Sequence, residues 1–346
     1  MDARFVEVNG QKAVADYGDV SAEHAALAET VGVLNCSYRS RLCVLGADRA
    51  KFLNGQVTNN VKDLRTGEGC YAAIVSAKGK IQSDVYVYIL ENEILLEFEP
   101  GLSPIVQERL EKYIIAEDAQ IADVSSAYGL WSVQGPKAAS VVAKMPRPEK
   151  PNAVRKFEDA ALGEIYLTNR SRTGTTGYDL FVPIAAMQAV GDQLVLAAKE
   201  VGGRPCGWRA LETARIEAGI PRFGVDMDET NLAPEALGPD AISYSKGCYI
   251  GQEVIARVRT YGQVARALRG LRLPEKLATL PVKGDKLFLG EKEVGSVTSA
   301  IASTRFKANL ALGYVRREAN QVGTELLLQT ASDKVPVKIV ELPFHF

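Results

Sequence analysis

Histidine is nearly missing from this sequence. His24 and His345 are the two it contains, and no Cys-x-x-Cys pair occurs. Zinc and iron–sulfur sites draw their ligands from those residue types at short spacings, so a pre-built metal centre is not expected. Net charge is missing as well: 41 basic against 42 acidic side chains leave −1. Surfaces that track nucleic-acid phosphates carry a basic excess, so direct nucleic-acid binding is disfavoured. No uncharged apolar run approaches the ~20 residues of a membrane span. The five cysteines (36, 43, 70, 206 and 248) are odd in number and widely spaced, unlike a disulfide framework. Met1 to Gly10 carries Asp2, Arg4 and Glu7 where a secretory leader has an apolar core. Both observations point to a reducing, cytoplasmic setting. No Gly-x-Gly-x-x-Gly follows an expected strand, which sets aside a dinucleotide-binding flavoenzyme.

What is present is an ordinary globular composition, 47% hydrophobic and 24% charged over 346 residues, enough for two domains. Alternating or β-rich runs predict strands at 42–46, 71–75, 84–90 and 94–98, with a Lys78-Gly79-Lys80 turn between the second and third. Ser103-Pro104 predicts a helix start, with serine as N-cap. Further strands are expected at 130–134, 164–168 and 179–182, and helices at 183–200 and 208–218. The last of these is stopped by Gly219 and Pro221. Beyond Arg269 short β-rich pieces alternate with Gly, Asp, Asn and Pro, the texture of a small antiparallel barrel beginning near residue 265.

The most informative stretch is Ser245-Lys246-Gly247-Cys248-Tyr249-Ile250-Gly251-Gln252-Glu253. Ile250, Val254 and Val258 repeat at helical spacing, and Glu253 precedes Arg257 by one turn, the favourable order for a helix pair. Cys248 is therefore expected on a glycine-flanked loop ahead of a helix, where the macrodipole and Lys246 would favour thiolate. The alternative is a small buried hydrophobe between two chain-turning glycines.

The unbroken row from Lys246 to Glu253 resembles the signature of the YgfZ family, folate-binding relatives of the glycine-cleavage T-protein (aminomethyltransferase) linked to iron–sulfur protein maintenance. Residues 47–90 and 170–223 resemble the same superfamily, and the expected barrel resembles its C-terminal domain. The resemblance implies an α+β fold. It consists of a folate-binding region of two α+β lobes over 1–262 and a small C-terminal antiparallel β-barrel over 265–346.

It also implies a cofactor, tetrahydrofolate or a derivative. A reduced folate offers adjacent N–H donors that one carboxylate can accept, flat rings that need an aromatic slot, and an anionic tail that needs Arg or Lys. Glu217 and Arg215, in Arg215-Ile216-Glu217-Ala218-Gly219, resemble the T-protein Arg-Leu-Glu-Ala-Gly; an ion pair fixing the helix end is the other reading. Tyr86, Tyr88 and Tyr178 are candidate stacking residues or core residues. Arg170, Arg172, Arg257 and Arg259 are candidates for the tail. Asp84 occupies the second position of the Asp-Asp pair that serves one-carbon transfer in T-proteins, and Ser83 replaces the first. Tyr178 stands where the T-protein loop has Glu, and a further acid of that pattern falls at Val182.

Two functions follow as expectations. One is a tetrahydrofolate-binding accessory factor for assembly or repair of iron–sulfur proteins, its partners being assembly or client proteins. In it Cys248 is the working thiol, Lys246 its electrostatic helper, and any effect on tRNA modification is indirect. The alternative is a folate-dependent, aminomethyltransferase-type one-carbon transferase using Asp84.

Overall fold

A computed structural model of the chain describes residues 3–260, 262, 264–331 and 334–345. Tyr261 and Gln263, at the expected junction between the two regions, lie outside the described residues.

The first lobe is a five-stranded antiparallel sheet. Its centre is the meander Gly69–Val75, Ile81–Ile89 and Ile94–Phe98, and Ser40–Leu45 and Gln120–Asp123 extend one edge. One face buries Leu42, Phe52, Leu53, Ile74 and Leu96 beneath the helices Arg49–Asn54 and Ser103–Glu111. Leu102, not Ser103, occupies the N-cap position of the second helix, and no side chain caps it.

The second lobe is a six-stranded sheet in which Tyr128–Gln134, Gly163–Asn169 and Gly177–Pro183 pack on the helix Met187–Glu200. Its other edge includes Gly32–Asn35. The chain therefore enters the second sheet at residue 32 and crosses to the first by residue 40. The sheets face each other across a seam that carries aromatic and charged side chains from both.

Six strands between Arg266 and Val340 close into a barrel. Its interior is apolar, with Leu271, Leu287, Val297, Leu328 and Ile339 nearly or fully buried. The barrel docks on the helix Trp208–Glu217. That helix ends at Gly219, whose φ of +67° is open to glycine at no steric cost. Among the described residues no helix is long and apolar enough to cross a membrane.

Candidate functional site

Side chains alternate faces along a strand, so Asp84, Tyr86 and Tyr88 of Ile81–Ile89 all point into the seam. Tyr71, on the neighbouring strand, pairs in register with Tyr86. The two rings stack 4.5 Å apart, and Tyr71 Oη donates to Asp84 Oδ2 at 2.9 Å. Asp84 Oδ1 is buried with no partner. Burial, then repulsion from Glu99, pushes the Asp84 carboxyl up to about 6, against the pull of Arg39 and the Tyr71 hydrogen bond. Ser83 points the opposite way in the strand and is buried.

Tyr71, Asp84, Tyr86 and Glu99 line a cleft of about 60 Å³ that opens to solvent. The second lobe contributes Arg170, whose guanidinium lies 3.4 Å above the Tyr86 ring and whose Nε has no partner. Trp208, Glu212 and Arg215 come from the helix before the barrel, and Arg222 from the loop after it. Arg222 covers the Trp208 ring at 4.7 Å and pairs with Glu99 and Glu212. The arrangement offers aromatic walls, a buried carboxyl poised between its two protonation states, and cations at the edge.

Of the residues singled out from the sequence, Asp84, Tyr86, Arg170, Arg172 and Arg215 meet at this cavity. Arg215 is largely committed elsewhere: it pairs with Asp226 and Glu212, and donates to Ser299 Oγ at 3.1 Å. Glu217 is buried against His24 Nε2 at 2.9 Å and accepts from Ser303. The Arg-Ile-Glu segment thus docks the barrel onto the first region, and Glu217 does not line the cavity. Tyr178 is packed in the second lobe's core beside Val182. Arg257 is exposed and pairs with Glu253 at 3.0 Å. Arg172, a further tail candidate, is taken up by Asp179 and Glu97.

Cys248 and Lys246 line a different hollow, with Lys51, Asn60, Lys62 and Asp63. Cys248 is the exposed cysteine; Cys36, Cys43 and Cys206 are buried and Cys70 is half-buried. The helix that follows spans Gln252–Thr260, and its buried side chain is Ile255, not Val254 or Val258. Lys246 is turned inward, where Nζ donates to the carbonyls of Asn54, Val57 and Asn59 at 2.5, 2.7 and 2.6 Å. Its charge acts on Cys70, whose thiol burial nonetheless pushes up to about 12. Lys246 is thus a tie between the cysteine loop and the 54–59 turn. Lys246→Met leaves three carbonyls without their donor, and a stability loss of about 2–4 kcal/mol is expected from the urea midpoint. An unchanged midpoint would mean that water replaces the ammonium freely.

Sequence reasoning passed over Tyr71, Glu99, Trp208, Glu212 and Arg222. Glu97 and Glu99 were legible in principle, because acids at alternate positions of an apolar strand are costly without partners.

The GCVT N-terminal domain family matches residues 1–239, and the glycine cleavage T-protein C-terminal barrel domain matches residues 266–345. The chain belongs to the glycine-cleavage T-protein family. It is 28% identical over 353 residues to an aminomethyltransferase of Saccharopolyspora erythraea, covering 100% of this chain and 95% of that one. An aminomethyltransferase of Halalkalibacterium halodurans is 26% identical, at 99% and 94% coverage. The crystal structure of glycine cleavage system aminomethyltransferase T from Bartonella henselae superposes with a TM-score of 0.86 at 22% identity, covering 99% of this chain and 94% of that chain. That superposition shows the shared T-protein fold: mixed α/β lobes followed by a closed six-stranded barrel. Within this family fold, Ser83 and Tyr178 are buried side chains that do not line the Asp84 cavity.

Proposed function

We propose that this chain binds a reduced folate, tetrahydrofolate or a derivative, in the Asp84 cavity and handles a one-carbon unit there, an aminomethyltransferase-type activity. The observation that carries this reading is Asp84 itself: buried, with a pKa near 6 and a bare Oδ1. The residues present fit such a ligand. Oδ1 can accept an N–H of the pterin edge, the rings of Tyr71 and Trp208 give the cleft aromatic walls, and Arg170, held on the Tyr86 ring, has an unpartnered Nε for a carbonyl or carboxylate. A bound reduced folate supplies the nitrogen that takes the one-carbon unit. Asp84 holds or releases a proton at Oδ1, Tyr71 orients the carboxyl through Oδ2, and Trp208 with Arg222 limits access of water. The names of the aminomethyltransferase relatives support the same reading.

Calorimetric titration with tetrahydrofolate tests it. Saturable binding is expected, and Tyr86→Ala should weaken it about tenfold through loss of the ring that props Tyr71 and Arg170. Absence of binding to the folded parent protein removes the proposal.

A second reading is favoured by one observation, the exposure of Cys248 on a loop tied down by Lys246. In it the chain is an accessory factor for iron–sulfur proteins of the YgfZ type, holding folate while Cys248 ligates iron, carries sulfur or forms a mixed disulfide. One thiolate cannot hold a cluster that takes about four ligands, so a partner protein would complete it. Rescue of cluster-enzyme activity in a deletion strain separates the readings. Cys248→Ala abolishes rescue under the accessory reading and leaves it intact under the transferase reading.

A further inference from the structure

The cleft beside Asp84 is nearly shut. Its space of about 60 Å³ holds a few water molecules, whereas small-molecule sites run to about 300–1,000 Å³. Arg39, Asp84, Tyr86, Glu99, Arg170 and Arg172 form its buried lining. Its mouth is marked by half-buried residues, Tyr71, Trp208, Glu212 and Arg222 among them. A ligand the size of a pteridine reaches Asp84 only by displacing one of these.

Arg222 is the one built to move. Its backbone is fixed: the N–H donates to Asp226 Oδ2 at 3.1 Å, and the carbonyl accepts from the Asp226 N–H at 2.8 Å. Its head is held loosely. Nη1 lies 3.5 Å from Glu99 Oε2, and Nε lies 3.3 Å from Glu212 Oε1 without a hydrogen bond; both distances exceed those of good N–H···O bonds. The guanidinium rests 4.7 Å above the Trp208 ring. Neither acid depends on it. Glu99 also takes Arg39 at 2.6 Å, and Glu212 also takes Arg215 at 3.1 Å. Withdrawal of Arg222 therefore strands no buried carboxylate, whereas withdrawal of a sole partner would be costly. It also bares a face of Trp208 and undoes a link between Glu99, at the end of a first-lobe strand, and the segment that follows the helix Trp208–Glu217.

We propose that Arg222 gates the Asp84 cleft. Closed, its guanidinium spans the mouth from Glu99 to Trp208; open, it swings to solvent and leaves the Trp208 face to a flat ring. The identity of that ligand rests on the folate reading, and the swing rests on the contacts of Arg222 itself.

Both parts are tested in full-length protein carrying Trp131→Phe, which leaves Trp208 as its one tryptophan. Acrylamide quenching of Trp208 with no ligand present reads the gate alone. Arg222→Ala should raise quenching several-fold, and about 1 M sodium chloride should move the Arg222 protein toward that value by screening its two ion pairs. Equal quenching of the two proteins, or quenching of the Arg222 protein unmoved by salt, overturns the gate whatever folate does. Stopped-flow mixing with tetrahydrofolate then reads entry. The association rate should level off with rising ligand in the Arg222 protein, and at low ligand it should be at least about tenfold faster in Arg222→Ala, which is always open. Binding at equal rates also overturns the gate. Absence of binding to both proteins removes the folate reading, and the quenching result decides the gate.

Discussion

Replacing Asp84 with Asn is expected to slow one-carbon transfer by about 10²–10⁴-fold, the usual worth of a positioned acid/base, and to make the protein more stable at neutral pH. The second effect follows from the first residue's environment. The ordinary carboxyl value of 3.8 rises to about 6 in the fold, chiefly through burial and then through Glu99. The folded state therefore holds this proton more tightly than the unfolded chain. The resulting stabilisation is full below about pH 4 and is lost as pH rises through about 6. The gap corresponds to about 3 kcal/mol that the ionised parent forgoes at pH 7. An asparagine never ionises and keeps Nδ2 or Oδ1 within reach of Tyr71. Urea unfolding at pH 4 and pH 8 reads the difference. The variant should match the parent at the lower pH and exceed it at the higher. Equal stability at both would mean that Asp84 is ionised without penalty, and the argument for a proton held at Oδ1 would go with it.

Arg172→Met is expected to be the most damaging single substitution in the seam. Arg172 donates to Asp179 at 2.7 and 3.0 Å and to Glu97 at 3.1 Å. Both acids are fully buried. Glu97 belongs to the first lobe's sheet and Asp179 to the second's, so one guanidinium ties the lobes together beside the Asp84 cavity. Removing it leaves buried carboxylates in short supply of counter-charge, a loss of about 3–5 kcal/mol. The urea midpoint should fall with the slope unchanged. Adding Asp179→Asn to the variant should recover part of the loss, because the stranded charge disappears with it. A loss below about 1 kcal/mol would show that water reaches the cluster.

The charged cluster also explains which expectations from the sequence reached the site. Asp84 was found through its likeness to the T-protein Asp-Asp pair and Tyr86 as a tyrosine of a strand, and local strand geometry puts the two on one face. Arg215 and Glu217 share a helix turn, yet their partners Asp226, Ser299, His24 and Ser303 come from distant segments. No local pattern places a barrel strand against that helix. Tyr178 illustrates the same limit. A strand tyrosine can be a stacking platform but is more often core, and its place in the cluster with Val190 and Leu194 decided for core. Lys246 stands next to the glycine before Cys248, and sequence proximity suggested an electrostatic pair. Its flexible stem instead reaches carbonyls of a turn nearly two hundred residues earlier.

By itself the sequence determined the alternation of strands and helices, the six barrel strands, the lack of metal-ligand clusters of short spacing, and the loop that presents Cys248. These depend on periodicity, turn chemistry and composition, all of which act within a few residues. The tertiary structure alone decided that strand 32–35 joins the second lobe's sheet before the chain enters the first, that the seam opens into the Asp84 cavity, and that Lys246, Glu217 and Arg172 serve as ties. Each of those outcomes depends on which buried charge finds which partner across the seam or the barrel dock, and burial exists only once the lobes have closed.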